Sequence, residues 1–284
     1  MEIKWQDSTR PHMELREKNG VPFLAFEKWE EIPWLVHGFS TRLGGVSKGI
    51  YASMNLSFTR GDKEEDVREN YRRIAASMGF SPEDIVTTDQ THTTNIRTAQ
   101  WEDRGNGLTK PRPYTDIDGM VTNVPGVVLS AFFADCVPLY FVDPVKRAIG
   151  LSHSGWRGTA GKIGRATIEK MQEEYGSRPE DIYAAIGPSI CQECYEVSGD
   201  VIEEFCRAFD KKYWDRLFYR KSQEKYQLDL WEANRIVFLE SGIPKDHIQM
   251  PGICTCCNPA LLFSHRASGG KRGNLGAFLG IKKE

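Results

Sequence analysis

Three apolar runs in the middle of the chain constrain its fold most. Val127 to Phe133, Val137 to Val142 and Ala148 to His153 follow one another, bounded by Asp, Pro and Gly. A strand with one wet face alternates apolar and polar residues. These runs do not alternate, so they read as strands buried on both faces, with cover above and below. A layered α/β sandwich follows, with mixed sheets covered by helices.

The flanking sequence supplies that cover. Asp62 to Met78 carries Val67, Tyr71, Ile74 and Met78 at helical spacing, with Asp62 placed to cap, Glu65 three residues on and Gly79 to end it. A second helix runs from about Gly161 to Tyr175. A third follows Ser198 through Phe209, turning Ile202, Phe205 and Phe209 inward, and a fourth spans Leu228 to Glu240. Further strands are predicted at Val21–Phe26, Leu35–Phe39, Ile85–Thr88, Ile182–Ile186, Leu261–Ser264 and Leu275–Ile281. Residues 101–116, rich in Gly, Pro and charge, read as a loop, and the polar segment 1–20 is predicted to fray.

Bulk composition excludes several classes. With 40% hydrophobic and 27% charged residues, a packed core is expected rather than disorder. A net charge of −2 gives no basic excess for nucleic acid, and no Lys/Arg run marks a membrane surface. The longest uncharged stretch, Gly119 to Ala134, is interrupted by Asn123 and Pro125 and is too short to span a bilayer. No apolar signal segment follows Met1, and the 7 cysteines are an odd number, so a reducing cytoplasm is expected. A length of 284 residues allows one large domain or two small ones.

His92, Cys136 and His153 are the candidate chemical centre. Two imidazoles and a thiolate are a donor set that a catalytic zinc uses, with a fourth position left for water. Cys136 precedes the second apolar run and His153 closes the third, so a tight connection would bring them together across neighbouring strands. Two other readings stay open on spacing alone: a buried apolar cysteine with a satisfied core histidine, or a Cys136–His153 nucleophile–base couple. The cysteines of Cys191-Gln192-Glu193-Cys194 and Cys254-Thr255-Cys256-Cys257 could form a four-thiolate site. Their separation, far beyond the usual ribbon spacing of about 15–20 residues, argues against it.

Three Gly-containing basic loops are candidates for anion binding: Thr41–Ser47 with Arg42, Gly155–Arg165 with Arg157, Lys162 and Arg165, and His265–Asn274 with Arg266, Lys271 and Arg272. Any one of them alone reads equally as a solvated turn. No P-loop, dinucleotide fingerprint, G-x-S-x-G elbow or H-x-E…P-C-x-x-C deaminase signature occurs.

Taken together, Thr88-Asp89-Gln90-Thr91-His92, Ala134-Asp135-Cys136-Val137-Pro138, Ser152-His153-Ser154-Gly155-Trp156-Arg157-Gly158, Gly187-Pro188-Ser189-Ile190 with Tyr195-Glu196-Val197, and Ser264-His265-Arg266 resemble the laccase-domain family. It is also called the multicopper polyphenol oxidase or YlmD/YfiH purine nucleoside phosphorylase family. The resemblance implies a single YfiH-like domain over 1–284 and zinc held by His92, Cys136 and His153. It implies phosphorolysis of inosine, adenosine or methylthioadenosine to free base and ribose 1-phosphate, together with adenosine deaminase activity. Copper and phenol oxidation are the family's older assignment. With 6 histidines and no H-x-H pair, this chain lacks the ligands of a multicopper cluster. Arg42, Arg157 and Arg266 are then the phosphate candidates. Asp135 is the proton-carrier candidate, although in an extended strand it would point away from Cys136. Ala267-Ser268-Gly269-Gly270-Lys271 departs from the acidic turn of many members, so substrate contacts are not carried over there.

Overall fold

The structure, a computed structural model, describes residues 2–6 and 13–283. The three apolar runs form the strands Val128–Phe133, Val137–Asp143 and Ala148–Ser154, and every residue of the second and third is buried. They do not share one sheet. Val128–Phe133 belongs to a six-stranded sheet ordered Met13–Lys18, Val21–Phe26, Leu35–Ser40, Leu275–Ile281, Val128–Phe133, Ile85–Thr87. The other two lie in the middle of a second six-stranded sheet, ordered Ile248–Gln249, Tyr183–Ile186, Val137–Asp143, Ala148–Ser154, Gly119–Thr122, Ile96–Thr98. Both sheets are mixed. Ile85–Thr87 runs parallel to Val128–Phe133, and Ile96–Thr98 parallel to Gly119–Thr122. A small antiparallel sheet joins Glu196–Ser198, Lys225–Leu228 and Phe218–Arg220.

The two large sheets face each other across the main core. Phe26, Phe39, Leu129 and Leu279 from one meet Met120, Tyr140, Val142 and Leu151 from the other. Tyr140 crosses the layer and donates its hydroxyl hydrogen to the Gly38 carbonyl at 3.1 Å, which satisfies its one buried polar atom. Outside the first sheet, Val67, Tyr71 and Ile74 of helix Glu64–Met78 pack on Phe23, Val128 and Phe278. Outside the second, Ile163, Ile168 and Met171 of helix Ile163–Tyr175 and Val237 and Phe238 of helix Leu230–Glu240 cover Val121, Leu139 and Phe141. The order helix, sheet, sheet, helix explains the lack of alternation: each central strand has apolar neighbours on both faces.

Several expectations need correction. Residues 13–18 do not fray; they form a hairpin arm paired with Val21–Phe26, with Met13 buried. Trp5 also bridges to Ile253, while residues 1 and 7–12 lie outside the described residues. Leu261–Ser264 is not a strand. Leu261, Leu262 and Phe263 plug the core from a turn after Pro259, and the Ser264 hydroxyl accepts the Ala267 N–H at 3.1 Å to start a short helix, His265–Ser268. Asp62 does not cap its helix. Its Oδ2 takes hydrogen bonds from Ser47 Oγ at 2.6 Å and Asn55 Nδ2 at 2.9 Å, so it ties two loops instead. Gly79 does end that helix, in the left-handed conformation with φ of 86°. The basic loop at Gly155 holds a short helix, Trp156–Ala160.

Phe141 tests this layering directly. Its ring packs edge-on against that of Phe238, 5.2 Å between centroids, joining the second sheet to its helix layer. Phe141→Ala should cost about 3–5 kcal/mol of stability, measured by urea unfolding. A loss under about 1 kcal/mol would show that this face is not buried.

Candidate metal centre

The hairpin between Val137–Asp143 and Ala148–Ser154 sets Pro138 opposite His153. Cys136 stands just before the first of these strands, so the pairing returns His153 to its side. His92 arrives from the other sheet, on the segment that follows Ile85–Thr87. The three ligand atoms lie within 4.8 Å of one another. The two imidazole rings meet edge to face, 4.9 Å apart at 86°. Zinc with two nitrogens and a sulfur needs edges of about 3.3–3.8 Å, so side-chain adjustment closes the group around an ion. His153 is buried, Cys136 half-buried and His92 exposed, which leaves one side of the group open. Gly155 makes the close approach possible, because a Cβ there would stand 2.9 Å from His92 Cδ2 and 3.4 Å from Cys136 Sγ.

One carboxylate organises both histidines. Asp118 is fully buried, and its Oδ1 meets His153 Nδ1 at 2.8 Å. That contact holds the proton on Nδ1 and leaves Nε2 as the ligand atom. Its Oδ2 accepts the N–H groups of Thr91 at 3.0 Å and Thr93 at 2.8 Å, the two neighbours of His92. His92 itself has φ of 68°, a left-handed conformation that this double clamp holds. Burial opposes charge on Asp118, but the hydrogen bonds from His153, Thr93 and Thr91 outweigh it and hold the carboxyl below its usual range. Burial likewise opposes a thiolate at Cys136, yet His153 and then His92 pull that thiol down. Against the same desolvation, Cys136 and Asp118 push His153 up. The metal-free centre is thus poised as a thiolate–imidazolium pair, and a metal that displaces the Nε2 proton of His153 would take the same two groups as ligands.

Asp135 is not in an extended strand: its φ is 89°. Alternation therefore does not decide where its side chain points. Its Oδ1 accepts a hydrogen bond from Thr255 Oγ1 at 2.7 Å and its Oδ2 from the Arg266 N–H at 2.7 Å. The arginines expected from the loops are also committed. Arg42 donates to the carbonyls of Ala52 and Pro259, at 2.9 and 2.8 Å, and lies over the Phe263 ring. Arg266 donates to the carbonyls of Cys194 and Glu196, at 3.0 and 2.8 Å. Arg157 stacks on Trp156 and is exposed.

A cavity of about 640 Å³ opens beside the centre, lined by His92, Cys136 and His153 together with Phe58, Arg60, Phe132, Arg112 and Arg272. None of Arg42, Arg157 and Arg266 lines it. Arg112 is held by Asp89 and by the Thr88 carbonyl. Arg272 is the most buried of the cavity's arginines, only 7% exposed; its Nη1 donates to the Gly273 carbonyl at 3.1 Å and to Asn274 Oδ1, and its Nε has no hydrogen-bond partner among the described residues. Burial and then the charge of Arg60 lower it to about 10, so it stays a cation at neutral pH. Arg272 is visible in the sequence as one cation of the third basic loop, but only the fold buries it here. Asp118 has a fainter signal: it precedes strand Gly119–Thr122, whose first residue pairs with Ser152, next to His153.

Fold and site define a class: a helix–sheet–sheet–helix α/β protein with a His–Cys–His group of potential metal ligands at the wall of a cavity. Residues 36–282 match the family described as multi-copper polyphenol oxidoreductase laccase, and the chain belongs to that family. It is 39% identical over 250 residues to purine nucleoside phosphorylase YlmD of Bacillus subtilis (strain 168), covering 88% of this chain and 89% of that protein. It is 33% identical over 252 residues to adenosine deaminase RL5 of an unknown prokaryotic organism, covering 88% of this chain and 94% of that one. The crystal structure of YlmD from Geobacillus stearothermophilus superposes with a TM-score of 0.90 at 37% identity, covering 96% of this chain and 100% of that one. The YfiH-like sandwich expected from sequence is therefore the fold, and the chain is a member of an enzyme family. No helix among the described residues is long and apolar enough to cross a membrane.

The clamp can be tested without turnover. Asp118→Asn keeps all three ligands but removes the charge that orients His153 and the His92 turn. Its affinity for a divalent metal, measured by competition with a chromogenic chelator, should fall about 10–100-fold. An unchanged affinity would remove Asp118 from the account.

Proposed function

We propose that this chain is a zinc-dependent purine nucleoside phosphorylase that also deaminates adenosine. One observation carries the reading: the His92–Cys136–His153 group shares a cavity with Arg60 and Arg272, two cations that repel each other. A phosphate between Arg272 and Arg60 would relieve the repulsion between two guanidiniums. Phe58 and Phe132 offer an apolar wall for a purine in the same cavity. The relatives named as a phosphorylase and a deaminase support the same substrates.

When bound, zinc supplies Lewis acidity to the substrate and acidifies water at its open position. Two histidines and one thiolate suit it. The two metal-binding groups among the described residues are this one and a group of four cysteines, and neither is the multi-histidine cluster that a phenol oxidase of this kind requires. In phosphorolysis an oxygen of hydrogenphosphate bonds to ribose C1′ as the bond from C1′ to the purine nitrogen breaks, and the purine leaves with the proton that the phosphate gives up. Arg272 and Arg60 hold the phosphate for that attack. In deamination water adds at purine C6 and ammonia departs. Asp135 is a positioning residue in this scheme, since both its oxygens accept hydrogen bonds within the protein. The free thiols of all described cysteines suit a reducing cytoplasm.

Zinc-loaded protein given inosine and phosphate should release hypoxanthine and ribose 1-phosphate. Cys136→Ala should abolish that release, and Arg272→Gln should raise the KM for phosphate about tenfold or more with less effect on that for inosine. Undiminished release by Cys136→Ala would overturn the metal-dependent reading. A thiolate–imidazolium couple is the alternative that the depressed Cys136 thiol allows. It predicts activity in metal-stripped protein and loss on alkylation of Cys136.

A further inference from the structure

A second group of ligands stands apart from the one already described. The Sγ atoms of Cys191, Cys194, Cys254 and Cys257 all lie within 4.8 Å of one another. Distance along the chain hides this. The turn after strand Tyr183–Ile186 and the segment after Ile248–Gln249 are 63 residues apart at Cys191 and Cys254, but these two strands are parallel neighbours. The pairing continues past their ends as a parallel bridge between Ser189 and Cys254, and the Thr255 N–H donates to the Ser189 carbonyl at 3.1 Å. Each segment then turns sharply, and each turn is a C-x-x-C.

The two turns have the form of metal-binding knuckles. In the first, Gln192–Cys194 makes one tight turn, with the Cys194 N–H on the Cys191 carbonyl at 3.1 Å. The Cys191 N–H points across to Cys254 Sγ at 3.2 Å. That backbone donor favours a thiolate at Cys254, but the Cys191 side chain and burial outweigh it and push the thiol up, so an ion has to displace the proton. Cys194 and Cys257 bring their sulfurs to 3.5 Å without a bond. A tetrahedral zinc with four sulfurs at about 2.3 Å has edges of about 3.8 Å, so no pair of these sulfurs exceeds such an edge by more than about 1 Å. Cys191 and Cys254 are buried while Cys194 and Cys257 are half-buried, which leaves a side through which an ion can enter. Four sulfurs gathered around one point suit zinc or iron, and zinc, which brings no redox chemistry, suits a structural role.

We propose that Cys191, Cys194, Cys254 and Cys257 hold a structural zinc ion as four thiolates. The site braces the candidate active site. Its second turn carries Thr255, whose hydroxyl donates to Asp135. Its first turn offers the Cys194 carbonyl to Arg266, whose N–H holds the other Asp135 oxygen, while the Ile190 N–H donates to the Asp135 carbonyl at 3.0 Å. Asp135 adjoins Cys136, so the four-cysteine group fixes the approach of that thiolate to the two histidines. Cys256, within the second turn, is not one of the four.

The test is made on full-length Cys136→Ala protein, which has lost a ligand of the first centre. Elemental analysis should still find about one zinc per chain, and X-ray absorption should show four sulfurs at about 2.3 Å with no nitrogen or oxygen ligand. Adding Cys194→Ser and Cys257→Ser should remove that zinc, whereas adding Cys256→Ser should leave it. If the double serine variant does not fold, titration of Cys136→Ala with a mercurial should release about one zinc to a colorimetric chelator as the thiols are capped. Protein grown in zinc that carries none, zinc bound by nitrogen or oxygen, or a Cys194–Cys257 disulfide under reducing conditions would each overturn the proposal. Because the zinc is counted in a chain without Cys136, its absence leaves the reading of the first centre untouched.

Discussion

The Asp118 carboxylate is the contact on which the centre depends. It lies between the two sheets' contributions: one oxygen takes His153 from the second sheet, and the other takes the two amides flanking His92 from the segment that leaves the first. A buried carboxylate is costly unless it accepts several hydrogen bonds, and these supply that compensation. The same bonds select the histidine tautomer, hold a left-handed turn at His92 and raise the basicity of His153. Sheet packing brings the three ligands near one another, and Asp118 determines which atoms face inward.

Two kinds of candidate metal site emerge from this arrangement. The His–Cys–His set has three donors, one exposed, and opens on a cavity, as a site that reacts with substrate must. The four-cysteine set has four sulfur donors within 4.8 Å of one another, and none of them lines that cavity. They are linked through Asp135, which is held by a residue inside the second cysteine turn and by the backbone of Arg266. Order in one group is thus transmitted over a short chain of hydrogen bonds to the other. Asp135, adjacent to a candidate ligand and acidic, invites a catalytic reading from sequence; in the structure both its oxygens accept hydrogen bonds.

The layered fold was legible in the sequence because burial on both faces writes itself as unbroken apolar runs, and Val137–Asp143 and Ala148–Ser154 are buried throughout. The pairing of Cys136 with His153 was also legible, since a short connection between neighbouring strands fixes their register. His92 was not, because nothing local links it to the others; resemblance to a family placed it. Leu261 to Phe263 misled because apolar residues filling a core from a turn look like a strand. The four-cysteine group escaped a spacing rule that assumes a local hairpin, whereas here a parallel strand pair carries one half to the other. Asp118 and Arg272 escaped because their importance lies in what surrounds them after folding.

Anomalous diffraction at the zinc absorption edge, on crystals of the protein grown with zinc, tests the central claim most directly. The account predicts a peak about 2.0–2.3 Å from one nitrogen of His92, Nε2 of His153 and Sγ of Cys136, with Nδ1 of His153 still on Asp118. Zinc-soaked crystals with no peak among those three atoms, and with Cys136 and His153 paired directly instead, would contradict it.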